Sequence, residues 1–200
     1  MVENFEGGYA AGSYLARLGH RMIGIARGPI NVATANDRVR GAEKVMSESE
    51  VSVSPEYIQE GMFNQDSGYI CAMRLLRLVP RPTAIFTASD LMAVGALAAV
   101  KASKLKCPED VSIISFDGLS FTDFTEPALT SIVQPSYQLG FTAAKLLLDR
   151  IEGDTSPPQH IVLKTELAIR DSVQSPAAPP HTSSEGDFQR IRRRDKSAVI

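Results

Sequence analysis

Short apolar runs alternate with longer segments of helical periodicity along most of the chain. The stretch 6–19 (EGGYAAGSYLARLG) reads as a helix stopped by Gly19, and 21–26 (RMIGIA) follows as a strand. Residues 35–49 predict a second helix and 56–63 hold a short strand. A third helix is predicted over 66–78, with Ile70, Met73, Leu76 and Arg77 at helical spacing. Then 83–88 (TAIFTA) predicts a strand, 89–103 a helix and 111–116 (VSIISF) another strand. Short β-branched strands separated by helices of about ten or more residues indicate βαβ units and a parallel sheet. Beyond Pro135 the pattern changes. A long amphipathic helix is expected over 136–153, with Leu139, Thr142, Ala143, Leu146, Leu147 and Ile151 on one face, and two short strands within 159–172. From Gln174 onward Pro, Ser and charge dominate, the composition of a disordered tail over 174–200.

Composition narrows the classes. An apolar fraction of 44% and a charged fraction of 22% are those of an ordinary globular chain. A net charge of −2 gives no general pull toward nucleic acid, and the basic run 190–196 (RIRRRDK) reads as a solvated end. Cys71 and Cys107 fit neither a disulfide framework nor a zinc motif; they read as buried free thiols in a reducing cytoplasm. The opening residues lack a basic segment followed by an apolar run, and no stretch reaches the ~20 apolar residues of a membrane span, so a cytoplasmic location is expected. His20, His160 and His181 are scattered, with no HExxH, phosphate-binding loop, GxGxxG or GxSxG. No catalytic residue, metal or cofactor is expected.

In open parallel sheets ligands bind outside the carboxyl ends of the strands. Here those ends lead into loops 27–38, 62–66, 87–90 and 116–121. Arg38 can present a planar fork to hydroxyl or carbonyl oxygens, or be a surface arginine at a helix start. Asp117 can accept hydrogen bonds from ligand O–H or N–H groups, or only close a turn with Gly118. Phe63 offers a flat apolar face for a ring, or belongs to the core. Ser89 and Asp90 are placed to cap the helix that follows.

The segments PTAIFTASDLMAVGALAAVKASKLKCPEDVSIISFDG, PALTSIVQPSYQLGFTAAKLLLDRI and LAIRDS, with VENFEGGYAAGSYLARLGHRMIGIARGP and DRVRGA upstream, occur in this order over residues 2–173. This arrangement resembles the effector-binding core of LacI/GalR-type transcriptional repressors, most of all the purine-repressor branch through NFEGGY and DSGY. The resemblance implies a periplasmic-binding-protein-like type I α/β fold, with a parallel sheet flanked by helices. It implies a crossover at 1–3, a nearly complete second subdomain at 4–132, a fragment of the first subdomain at 133–164 and a return strand at 165–173. The helix-turn-helix that binds DNA in that family would then be missing from this chain. The helix at 136–152 would also lack most of the sheet it covers, and a leucine such as Leu146 left in water forgoes roughly 1.5–3 kcal/mol.

By the same resemblance Arg38 and Asp117 match positions that bind effector oxygens or nitrogens. Thr34 and Phe63 match a polar contact and a stacking position, and Ser89 and Gln134 match other cleft-lining positions. Val32 stands where the purine repressor has a ligand-facing arginine, and Ser89 where sugar-binding relatives often carry Asn, so a sugar and a nucleobase both stay open. Helix 90–103 is apolar nearly all round; the resemblance implies that Val94 and Leu97 meet a twin chain in a homodimer, with core burial as the alternative. The leading expectation is an effector-sensing domain without catalysis. An enzyme using Asp117 as a base and Arg38 as an anion holder, a transport-type binding protein and a non-functional truncated remnant are the alternatives.

Overall fold

The computed structural model describes residues 1–49, 51 and 54–176. The first helix, α1 (Asn4–Arg17), leads into β1 (Ile23–Arg27) and α2 (Ala33–Glu48). A short strand β2 (Ile58–Glu60) precedes α3 (Gln65–Leu75), β3 (Ala84–Thr87), α4 (Asp90–Ala102) and β4 (Ser112–Asp117). Last come β5 (Thr130–Val133), α5 (Ser136–Ile151) and β6 (Glu166–Ala168). The described strands form one sheet in the order β2-β1-β3-β4-β5-β6, parallel throughout except for the antiparallel pairing of β6 with β5. The α/β class with a mainly parallel, helix-flanked sheet is as the alternation predicted.

Strand alternation sorts the core into two halves. Ile23, Ile25, Ala84, Phe86, Ile114 and Phe116 point to the face covered by α1 and α2. Ala26, Ile85 and Ile113 point to the other, under α3 and α4. Each helix pair is packed backbone to backbone. A side chain at Gly8 would strike the carbonyl of Arg38, and one at Gly41 would strike that of Phe5, so only glycine admits this approach of α1 to α2. The end of α1 is set by Gly19, at φ 98°: its N–H bonds to Ala16 O and the next N–H, of His20, to Leu15 O. These two bonds satisfy carbonyls that the last turn would otherwise leave free.

Three expectations are corrected. The helix expected over 66–78 ends at Leu75, with Leu76 and Arg77 beyond it, and its buried residues are Gly68, Cys71, Ala72 and Leu75, where α4 meets its small residues. Strand β5 was not foreseen: Thr130 and Ser131 interrupt its apolar pattern, yet both are fully buried and hydrogen-bonded. In 159–172 only β6 is a strand, with Leu163 making a single parallel bridge to Val2.

No residue of α5 is buried. Its Leu139, Thr142, Ala143 and Leu146 line a small cavity with Met1 and 159–163, while Tyr137, Phe141, Leu147, Leu148 and Ile151 are exposed. Gln174, where the tail was expected to open, is docked: its carbonyl accepts from His20 Nε2 at 2.9 Å and its N–H donates to Ser112 Oγ at 3.1 Å. Residues 177–200 lie outside the described residues.

His20 is 1% exposed, its ring bonded to Thr83 Oγ1 as well as to Gln174 O, and burial holds its pKa below the ordinary 6.5. In the unfolded chain it binds a proton more readily, so its share of stability is present at alkaline pH and lost as pH falls below 6.5. A His20→Asn variant is expected to be less stable than the parent by about 1–3 kcal/mol at pH 8. The gap should narrow as pH falls below 6.5, checked by urea denaturation across pH; a gap that widens on acidification would contradict this role.

Candidate effector site

Arg38 stands one turn into α2 and is only 7% exposed. A guanidinium in such surroundings must spend its donors on fixed partners. Its Nε donates to Asn4 Oδ1 at 2.9 Å, and its Nη1 donates to Ala88 O at 2.6 Å and to Asp117 Oδ1 at 3.0 Å. Its carbon lies 3.8 Å from the centre of the Phe116 ring, a cation–π contact from below. Asn4 is aimed by its own amide, which donates to Val2 O at 3.1 Å and leaves Oδ1 toward the arginine. The close α1–α2 packing at Gly8 and Gly41 therefore brings Asn4 and Arg38 together.

Asp117 closes β4 and is paired in register with Val133 of β5. Its Oδ1 also accepts from Gln134 Nε2 at 2.6 Å, and its own carbonyl accepts from Gln134 N at 2.9 Å. Among the described residues Nη2 of Arg38 and Oδ2 of Asp117 take no protein hydrogen bond. Two N–H donors and one carboxylate oxygen are thus uncommitted side by side. Burial pushes the Asp117 carboxyl above the ordinary carboxylate value; Arg38 pulls it down and the charge of Asp90 pushes it up again. The same burial lowers Arg38, which its pairing with Asp117 opposes.

The other expected positions are less tightly gathered. Phe63 lies with φ 57° in the left-handed region, half-buried, its ring laid directly on Gly28 just beyond β1. Thr34 is exposed, one helical turn before Arg38 on α2. Ser89 is buried and its Oγ accepts from Met92 N at 3.3 Å, the capping role expected of it. Val94 and Leu97 are half-buried on α4, and Leu97 packs on the core. Sequence reasoning missed Asn4 and Phe116, and read Asp90 only as a cap; the sole signals were a polar residue opening a helix and an aromatic one residue before Asp117.

The thiols of Cys71 and Cys107 are pushed up to about 11 and about 12 by burial, so neither is a nucleophile at neutral pH. Among the described residues no group of three or more His, Cys, Asp or Glu could hold a metal ion, and no helix is long and apolar enough to cross a membrane. A cavity of about 630 Å³ bounded by Val100, Lys101, Cys107 and Asp171 lies at the amino ends of the strands, the opposite end of the sheet from Asp117.

The periplasmic binding protein-like domain family matches residues 13–173. The chain belongs to that family. It is 40% identical over 194 residues to the HTH-type transcriptional repressor PurR of Escherichia coli O1:K1, covering 96% of this chain and 54% of the repressor. The chain thus spans about half the length of the curated relatives it matches. Among solved structures it resembles the transcriptional regulator CelR in complex with cellobiose, with a TM-score of 0.81 and 34% identity over 86% of this chain and 52% of that one. It also resembles a LacI family transcriptional regulator from Enterococcus faecium with bound ribose, with a TM-score of 0.79 and 29% identity over 87% of this chain and 64% of that one. Fold, motifs and relatives agree on an effector-binding domain of LacI/GalR type.

Asp117 has φ 121°, a region costly for any residue with a Cβ. Glycine ordinarily destabilises a strand relative to alanine by about 0.5–1 kcal/mol. At this position the order should invert, Asp117→Gly being more stable than Asp117→Ala by about 1 kcal/mol in urea denaturation. An alanine variant as stable as the glycine variant would show the backbone to be unstrained.

Proposed function

We propose that this chain is the effector-sensing part of a cytoplasmic LacI/GalR-type transcriptional regulator. It binds a small neutral molecule rich in hydroxyl or amide groups, and occupancy modulates DNA binding by a helix-turn-helix outside these 200 residues. The observation that carries this reading is the fixed Arg38–Asp117–Gln134 cluster with its uncommitted donors and acceptor at the carboxyl edge of the sheet. A ligand hydroxyl can accept from Arg38 Nη2 and donate to Asp117 Oδ2 at once, which suits a sugar. The ring of Phe63 supplies an apolar platform, and Thr34 a further polar contact on the Arg38 face of α2. Cellobiose and ribose in the related regulators favour a sugar over a nucleobase, as does Val32, which gives no charge to a purine. In the full-length regulator, Val94 and Leu97 of α4 form part of a homodimer contact. Effector binding biases the equilibrium between the arrangements of the domain and so changes operator affinity. The relatives are regulators rather than enzymes, which supports a sensing role over catalysis.

Titration calorimetry with ribose, cellobiose, adenine and hypoxanthine tests the reading. At least one neutral sugar should bind saturably, and Asp117→Asn and Arg38→Lys should each weaken it by about tenfold or more, since a hydrogen bond to a charged group contributes about 1.5–3 kcal/mol. Binding that survives both substitutions in folded protein, or saturable binding of the nucleobases alone, would contradict it.

A further inference from the structure

Asp90 is the first residue of α4 and is 0% exposed, with no side-chain atom reaching solvent to offset its burial. Its Oδ1 accepts from Ser115 Oγ of β4 at 2.5 Å and from Ser131 Oγ of β5 at 2.8 Å, and its Oδ2 accepts from Leu119 N at 2.6 Å. Ser131 Oγ in turn accepts from Gly118 N at 3.2 Å. One carboxylate therefore ties α4, two strands and both residues that follow Asp117. Capping alone does not account for this, because Ser89 already caps α4.

We infer that Asp90 is a positioning residue for Asp117: its buried carboxylate clamps the turn that holds Asp117 at its unusual φ, and its charge acts on Asp117 through the sheet. The relation to an effector rests on the reading above. Leu119 N and the two serine hydroxyls donate to Asp90 and, with the amino end of α4, favour its carboxylate form, while burial, the larger effect, raises its carboxyl above the ordinary value. Among the described residues no Lys or Arg forms an ion pair with it. The charged groups that act on Asp117 are Arg38 from α2 and Asp90 from α4; the neighbour after β5, Gln134, is neutral. Of the two carboxylates only Asp117 pairs with the Arg38 guanidinium. Burial raises both carboxyls; Asp117 keeps Oδ2 free for a proton and feels the charge of Asp90, whereas both oxygens of Asp90 already accept hydrogen bonds, which favours protonation of Asp117 first.

Carbon-13 carboxyl resonances of the full chain, followed through a pH titration, test this without any effector. In the native protein Asp117 should protonate at a higher pH than Asp90. In Asp90→Asn the Asp117 midpoint should move down, and exchange of the Leu119 amide proton should speed up at least tenfold. A merely structural role would speed the exchange and leave the midpoint in place. If Asp90→Asn does not fold, the native order of titration decides alone: Asp90 protonating before Asp117 overturns the inference, as does an unchanged midpoint in the folded variant. Failure here leaves the effector reading standing on its calorimetry, and failure of the calorimetry leaves this titration unaffected.

Discussion

A guanidinium buried at the edge of a parallel sheet constrains everything around it, and Arg38 is that group. Removing such a charge from water costs several kcal/mol unless its donors are met. The chain meets three of the five, with Asn4, Ala88 and Asp117, and supports the flat face with Phe116. Each partner makes a demand elsewhere. Asn4 must come close, so α1 must touch α2 through glycines; Phe116 must lie beneath, which leaves room only for Gly7 above its ring. Asp117 must turn back at the end of β4, and it does so at a φ that other residues avoid. Two donors of the guanidinium are left over, so the cluster is not a closed ion pair.

The second half of the arrangement is a polar seam inside the sheet. Ser115, Ser131 and Thr130 occupy strand positions that an apolar core would give to valine or isoleucine. Their hydroxyls serve Asp90, Arg170 N and Gly118 N rather than the hydrophobic effect. Such networks stabilise little in net terms, yet they fix geometry because every broken bond leaves a buried orphan. Among the described residues none of the buried side-chain polar atoms lacks a partner. The cluster therefore rests on a scaffold whose buried polar side-chain atoms are all hydrogen-bonded.

Much of the fold was legible because strand period and helix period differ, and the chain keeps them apart. VSIISF and TAIFTA are too short and too β-branched to be helices, and Gly19 ends α1 as expected. Arg38 and Asp117 were legible as candidates because strand ends in parallel sheets are where ligands sit. What pattern alone could not reach were contacts between residues remote in sequence. Asn4 and Arg38 are 34 positions apart, and Ser131 and Asp90 are 41 apart. The packing face of α3 was out of reach for a related reason: the small residues Gly68 and Ala72 are buried against α4, because two helices approach closely there. Strand β5 hid because its buried serine and threonine answer to hydrogen bonds, which leave no hydrophobic period.

A double-mutant cycle of Arg38→Met and Asp117→Asn, read by urea denaturation, tests most directly whether this pair organises the site. Arg38→Met alone should be strongly destabilising, because it strands a buried carboxylate. In the Asp117→Asn background the same change should cost at least about 2 kcal/mol less, the size of coupling seen between residues in one buried network. Effects that add to within about 0.5 kcal/mol, as for independent sites, would contradict the account.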